Sequence, residues 1–244
     1  MIAVEHLHKT FGSVVAVEDV SFQAADGAIT GLLGPNGAGK TTTLRVLYTV
    51  IKPERGSAAV DGFDVATAPD QVRRRIGVLP DGFGLYPRLT AREHVRYFGR
   101  LHGHGGAALE SDIDQLVTLL DMQDIAERRA EGFSHGQRLK VALARALVHH
   151  PGNVLLDEPT NGLDVLALRT TRTLIRRIRD EGRCVLFSSH VMQEVAALCD
   201  HIAVVAQGRV VAEGTPESLR TAMGADNLED AFVSAIGSAE GLLQ

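Results

Sequence analysis

The sequence predicts an α/β protein organised on a parallel sheet, and three observations carry that prediction. Short continuous apolar runs alternate with helical patterns toward both ends of the 244-residue chain, as expected of parallel strands buried on both faces. The segment Gly34-Pro35-Asn36-Gly37-Ala38-Gly39-Lys40-Thr41-Thr42 fits G-x-x-x-x-G-K-[ST] and sits between a strand pattern and a helix pattern. Asp157-Glu158 directly follows the apolar run Val154-Leu155-Leu156, placing two carboxylates at a strand's carboxyl end, where open α/β sheets bind ligands.

The glycine-rich segment is a P-loop. Glycines 34, 37 and 39 let the backbone wrap closely around an anion. Loop amides and the following helix N-terminus then aim partial positive charge at phosphates. Lys40 is expected to bridge the β- and γ-phosphates, and the Thr41 hydroxyl to face Mg²⁺. The core is therefore that of a P-loop nucleotide hydrolase, with Asp157 a metal residue and Glu158 placed to orient or deprotonate an attacking water.

Taken in order, Ile2 to His6 and Val15 to Phe22 read as strands, with Phe11-Gly12 in a turn between them. Ala28 to Leu33 is a buried strand bounded by Gly27, and Thr43 to Tyr48 the first turns of a helix. After a turn at Pro53 to Gly56, Ala58-Ala59-Val60 runs into Asp61-Gly62, a hairpin dipeptide. Arg73-Arg74-Arg75 is a solvated helix end before the strand Ile76 to Leu79, and Pro80 to Pro87 is irregular. Thr90-Ala91-Arg92-Glu93 is a capping box opening a helix to about Leu101.

His102 to Ala107 is a glycine-rich loop; its two alternate histidines lack the further ligands that a metal site needs. Helical patterns follow near Ile113 to Leu120 and Gln137 to His149, so residues 85–150 form a helical insertion. Alternation returns with the strand Asn153 to Leu156, the helix Val165 to Arg179 and the strand Cys184 to Ser188. A helix Met192 to Leu198 and strands Ile202 to Val205 and Arg209 to Glu213 come next. Thr215-Pro216 opens a helix with Pro at its first position. A tail over 224–244 carries an amphipathic piece around Leu228 to Ile236.

Composition narrows the classes. The hydrophobic fraction of 45% and charged fraction of 23% suit one ordinary globular domain over 1–244. A net charge of −5 argues against a nucleic-acid partner held by a basic surface. No apolar run is long enough to span a bilayer, and the start lacks the pattern of a signal peptide. Cys184 and Cys199 read as buried free thiols. A role at a membrane would be that of a peripheral subunit on its cytoplasmic face.

The order of motifs resembles the ATP-binding cassette family, the nucleotide-binding subunits of ABC transporters. The series is the P-loop, a helical insert, Phe133-Ser134-His135-Gly136-Gln137, Leu155-Leu156-Asp157-Glu158-Pro159, Asn161-Gly162-Leu163-Asp164 and Ser188-Ser189-His190. The resemblance runs from about Ile2 to Leu219 and implies a P-loop core, an antiparallel β part and a helical subdomain. It implies ATP and Mg²⁺ as ligands, hydrolysis of ATP, a second cassette as partner in a homodimer or heterodimer, and a separate integral membrane subunit.

By the same resemblance Phe11 stacks on adenine, although a core aromatic would fit the sequence as well. Ser134, Gly136 and Gln137 form the signature loop, which contacts the γ-phosphate held by the partner's P-loop. Gly162-Leu163-Asp164 is the D-loop linking the two sites, and His190 is the switch histidine near the γ-phosphate.

Two positions depart from the family pattern. His135 replaces the first glycine of the signature, bringing an imidazole toward a phosphate and altering closure. Asp81 stands where a glutamine usually follows the strand, offering Mg²⁺ a charged oxygen instead of a neutral one. These departures leave room for a weakly hydrolysing regulatory subunit, and a non-transport cassette ATPase is the rival class. The stretch Gly84 to Glu93 and the segment Leu228 to Phe232 look like bacterial efflux cassettes, including sodium-extruding ones.

Overall fold

Half of the sheet is parallel and half antiparallel, and the boundary between them decides where the site lies. A computed structural model of the protein describes residues 1–225 and 227–239. The chain begins with strands β1 (Ile2–Phe11), β2 (Val14–Ala24) and β3 (Ile29–Leu33), then helix α1 (Lys40–Leu47). It continues through β4 (Arg55–Val60), β5 (Phe63–Asp64), α2 (Pro69–Arg73) and β6 (Ile76–Leu79). Three helices follow, α3 (Ala91–Leu101), α4 (Gly106–Leu119) and α5 (His135–Leu147). Then come β7 (Asn153–Asp157), α6 (Val165–Asp180), β8 (Cys184–Ser189), α7 (Met192–Leu198), β9 (His201–Ala206) and β10 (Arg209–Gly214). The described chain closes with α8 (Pro216–Ala222) and α9 (Leu228–Ala239).

The strand order is β5-β4-β1-β2-β10-β9-β3-β8-β7-β6. From β9 to β6 all neighbours run parallel, while β5, β4, β1 and β2 pair antiparallel. β10 joins the halves, antiparallel to β9 and touching β2 through Arg209 and Asp19.

Strand alternation feeds two cores. Val154, Leu156, Val185 and Phe187 point to the face covered by helices α3 to α7. Leu155 and Leu186 point to the opposite face, with Leu44 and Leu47 of α1 and the β1–β2 residues Ile2, Leu7 and Val20. A parallel strand must be apolar on both sides to sit there, which is why these runs read as continuous rather than alternating.

Several element bounds move from the sequence expectation. β1 continues five residues past His6, through an irregularity at which His6 takes a positive φ of 48° and the register shifts between Val4 and Leu7. That break in alternation hides the second half of the strand from a period-two reading. Phe11 therefore ends a strand instead of lying in a turn, and its side chain is 48% exposed, so it is not a core aromatic. α1 begins at Lys40, capped by Gly39, and α4 begins at Gly106 inside the glycine-rich stretch.

The Thr90–Glu93 capping box forms in full, and Asp61-Gly62 makes the β4–β5 turn with both residues at positive φ. In the tail, α9 lays Leu228, Phe232 and Ile236 against the helical-side core; residues 226 and 240–244 lie outside the described residues. Both cysteines are free and buried.

Candidate nucleotide site

The P-loop joins β3 to α1 at the carboxyl edge of the parallel sheet, and its shape depends on contacts that no side chain would fit. A Cβ on Gly34 would lie 2.1 Å from the Val205 carbonyl oxygen of β9. Gly39 combines a φ of +106° with a Cβ position 2.6 Å from the Ala16 carbonyl oxygen. The loop is thereby held against β9 and β2.

Lys40 is only 5% exposed. Its Nζ donates to the Gly34 carbonyl at 2.7 Å and the Pro35 carbonyl at 3.1 Å, and lies 3.6 Å from Glu158 Oε1. Burial lowers the Lys40 pKa, while the negative charges of Glu158 and Asp157 act in the opposite direction. An ammonium so poised gains most from additional anionic oxygens.

β8 lies between β3 and β7, so the last residues of all three strands meet. Asp157, 3% exposed, accepts from the Thr41 hydroxyl at 3.2 Å and from the Ser188 hydroxyl at 2.6 Å. Burial pushes the Asp157 carboxyl above the ordinary aspartate value; the charges of Asp81 and Glu158 push the same way, against the two hydroxyl bonds. Asp81 thus reaches the pair electrostatically from the loop after β6.

The Thr41 hydroxyl and Asp157 carboxylate are hard oxygen donors. Among the described residues no cluster of three or more His, Cys, Asp or Glu is ready to hold a metal. A magnesium ion fits such a pair, because it keeps waters and substrate oxygens in most of its positions.

Glu158 adopts a positive φ of 49°, a conformation rare for a non-glycine residue and concentrated at functional sites. The turn aims its carboxylate back toward the P-loop, where Oε2 accepts from His190 Nδ1 at 2.9 Å. Ser188 supports both acids, since its hydroxyl also accepts the Glu158 amide at 3.0 Å. The sequence offers Ser188 as a strand end and as the first residue of the Ser188-Ser189-His190 motif, with no role beneath the acids. Its signal was a pair of hydroxyls, Ser188-Ser189, closing a strand otherwise made of buried apolar residues.

The structure brings together Lys40, Thr41, Asp157, Glu158 and His190, with Asp81 at the edge. Ser134, Gly136 and Gln137 lie elsewhere. They border, with Asp164, Leu166 and Arg169, a separate cleft of about 600 Å³. Ser134 caps α5, its hydroxyl accepting from the Gln137 amide at 3.2 Å while Gln137 Oε1 accepts from the Ser134 amide at 3.0 Å. The His135 ring turns toward the Asn161–Asp164 turn, where Nε2 donates to the Asn161 carbonyl at 2.9 Å. Phe11 stands at the exposed end of β1 with the Lys9 ammonium 5.5 Å from its ring centre.

The family model described as "ABC transporter" matches residues 17–161. The "ABC transporter ATP-binding protein NatA" of Bacillus subtilis (strain 168) is 44% identical over 224 residues, covering 91% of each chain. The "Daunorubicin resistance ATP-binding protein DrrA3" of Streptomyces coeruleorubidus is 36% identical over 244 residues, covering 99% of this chain and 77% of that one. The dimeric post-hydrolysis structure of the ATP-binding cassette MJ0796 bound to ADP and Pi superposes with a TM-score of 0.80 at 25% identity, covering 88% of this chain and 98% of that one.

Proposed function

Since this chain belongs to the ABC transporter family as its ATP-binding, ATP-hydrolysing subunit, we propose that each ATP is held between the P-loop of one cassette and the signature turn of a second. The observation that carries this reading is the convergence of Lys40, Thr41, Asp157, Glu158 and His190 at the ends of three adjacent parallel strands.

In this reading the loop amides and Lys40 bind the β- and γ-phosphates, and Phe11 offers its exposed face to adenine. Thr41 and Asp157 hold Mg²⁺, with Asp81 contributing its charge; the ion neutralises charge on the phosphate oxygens when bound. Glu158 orients the attacking water and takes its proton, and His190 steadies the Glu158 carboxylate through the 2.9 Å bond. Ser134, Gly136 and Gln137 complete the partner's site.

The whole chain acts as one cassette, with its helical part over residues 85–150. No helix among the described residues is long and apolar enough to cross a membrane, so transport runs through a separate membrane subunit. We place the chain peripherally on the cytoplasmic face of the membrane. The docking surface is the 740 Å³ cleft between α2, β6, α3 and α5, together with the adjoining loop Asp81 to Arg88. Arg73, Arg74 and Arg145 border the cleft, and Tyr86, Tyr97 and Leu101 are exposed nearby. The Gly84–Glu93 and Leu228–Phe232 stretches, and a relative whose name refers to drug resistance, favour export.

The test is MgATP hydrolysis by the purified chain, alone and with the membrane subunit that co-purifies with it. Mg²⁺-dependent turnover that rises with the partner supports the reading; turnover absent in both preparations would sink it.

A further inference from the structure

His135 is the residue at which this signature turn departs from its family pattern, and its side chain makes two contacts that a glycine could not. Nε2 lies 2.9 Å from the Asn161 carbonyl oxygen; a carbonyl only accepts, so this nitrogen carries the proton and donates. The ring also packs on Phe83, with centroids 5.0 Å apart. Asn161 in turn donates its amide to the Glu158 carbonyl at 3.2 Å. Phe83 is tied to α5 a second time, because its carbonyl accepts from Arg145 Nη2 at 2.8 Å. One imidazole therefore joins the start of α5, the loop after β6, and the turn that begins at Glu158.

The far side of that turn is pinned as well. The Thr160 hydroxyl donates to buried Glu194 of α7, so the turn is held from the helical part on one side and the core on the other. The Gly162 backbone lies under the His135 ring, with a Cβ position there 3.8 Å from Nε2.

We propose that His135 is a positioning residue that latches the signature turn to the Asn161–Asp164 turn of its own subunit. The two surfaces that a partner cassette must meet are then presented as one preformed unit. Groups already ordered in the free subunit cost less to order on association, so the latch favours the closed dimer. The inference rests on the reading that two cassettes share each ATP. Its local part, the latch, exists in the single chain.

His135→Ala removes both contacts while keeping a helix-compatible residue at the first position of α5. His135→Gln returns an amide donor of similar reach. Amide hydrogen exchange at Asn161 and Leu163 reads the latch in the free subunit. Exchange should be faster in H135A and slow again in H135Q, with equal thermal midpoints showing that both variants are folded. In an E158Q background, the protein concentration for half-dimerisation with MgATP should rise about two- to tenfold in H135A, the range for losing one hydrogen bond. H135Q should restore it. With Glu158 intact, KM for ATP should rise while kcat at saturating protein changes little.

Unchanged exchange in H135A overturns the latch. Faster exchange with an unchanged or tighter dimer overturns its role in closure. If E158Q itself never dimerises with MgATP, the shared-site reading falls and the closure role with it, while exchange still decides the local contact.

Discussion

Glu158 faces two partners at once: Oε2 accepts from His190 Nδ1 at 2.9 Å, and Oε1 lies 3.6 Å from Lys40 Nζ. The carboxylate is thus oriented by β8 on one side and bound electrostatically to the phosphate loop on the other. Glu158 makes both contacts from a backbone φ of 49°.

Glu158→Gln keeps the size of the side chain and an oxygen that can still accept from His190, but loses the base. Hydrolysis should fall by roughly 10²- to 10⁴-fold while ATP binding persists, so two MgATP molecules should hold the cassettes together. Size-exclusion chromatography should show an ATP-dependent dimer. Adding Ser134→Arg should return it to monomer, because the bulky cation replaces the helix cap at the partner's γ-phosphate.

Lys40→Ala removes the buried ammonium beside the Gly34 and Pro35 carbonyls. The fold should survive, since the loop's shape rests on Gly34 and Gly39, but nucleotide affinity should drop by at least tenfold in a fluorescence titration. Equal affinity in the two proteins would count decisively against the phosphate role of this lysine.

Asp157 carries a stability cost that its proposed metal role accounts for. Its folded pKa is raised, chiefly by burial, so the folded state holds this proton more tightly than the unfolded chain does. The associated stability is present below the unfolded value of 3.8 and is lost as pH rises through the folded value. At neutral pH and without nucleotide, Asp157→Asn should therefore melt higher than wild type. A gain of roughly 2–4 °C is expected for each kcal/mol recovered. The same variant should lose Mg²⁺-dependent hydrolysis. Calorimetry across pH 4 to 8 checks the sign, because the gap between the two proteins should widen as pH rises.

The proposed docking surface is tested by cross-linking. A cysteine at Leu85 or at Tyr86, which is 53% exposed, should form efficient cross-links to the membrane subunit. A cysteine at Gly208, packed beside the β2 backbone at Val17 and Glu18, should not. Cross-links from Gly208 with none from the Asp81–Arg88 loop would reverse the orientation.

Much of this was legible in the residues alone, for local reasons. The P-loop's glycines, lysine and threonine are contiguous, and Asp157-Glu158 follows an apolar run that only a buried parallel strand would carry. The capping box at Thr90 likewise needs just four consecutive residues. What the sequence left open depends on residues far apart in the chain. The full length of β1 was masked by the bulge at His6, since periodicity assumes an uninterrupted pleat. Ser188 acquired its place under both carboxylates only when β7 and β8 paired in register, Asp157 opposite Ser188. The sequence brings the His135 imidazole toward a phosphate; within the subunit, tertiary packing sets it against the Asn161 carbonyl, 26 residues away in the chain. Sequence determined which groups could bind phosphate, because that chemistry is written within one loop. Tertiary structure decided which groups they meet, because strand register and helix packing set the contacts between distant segments.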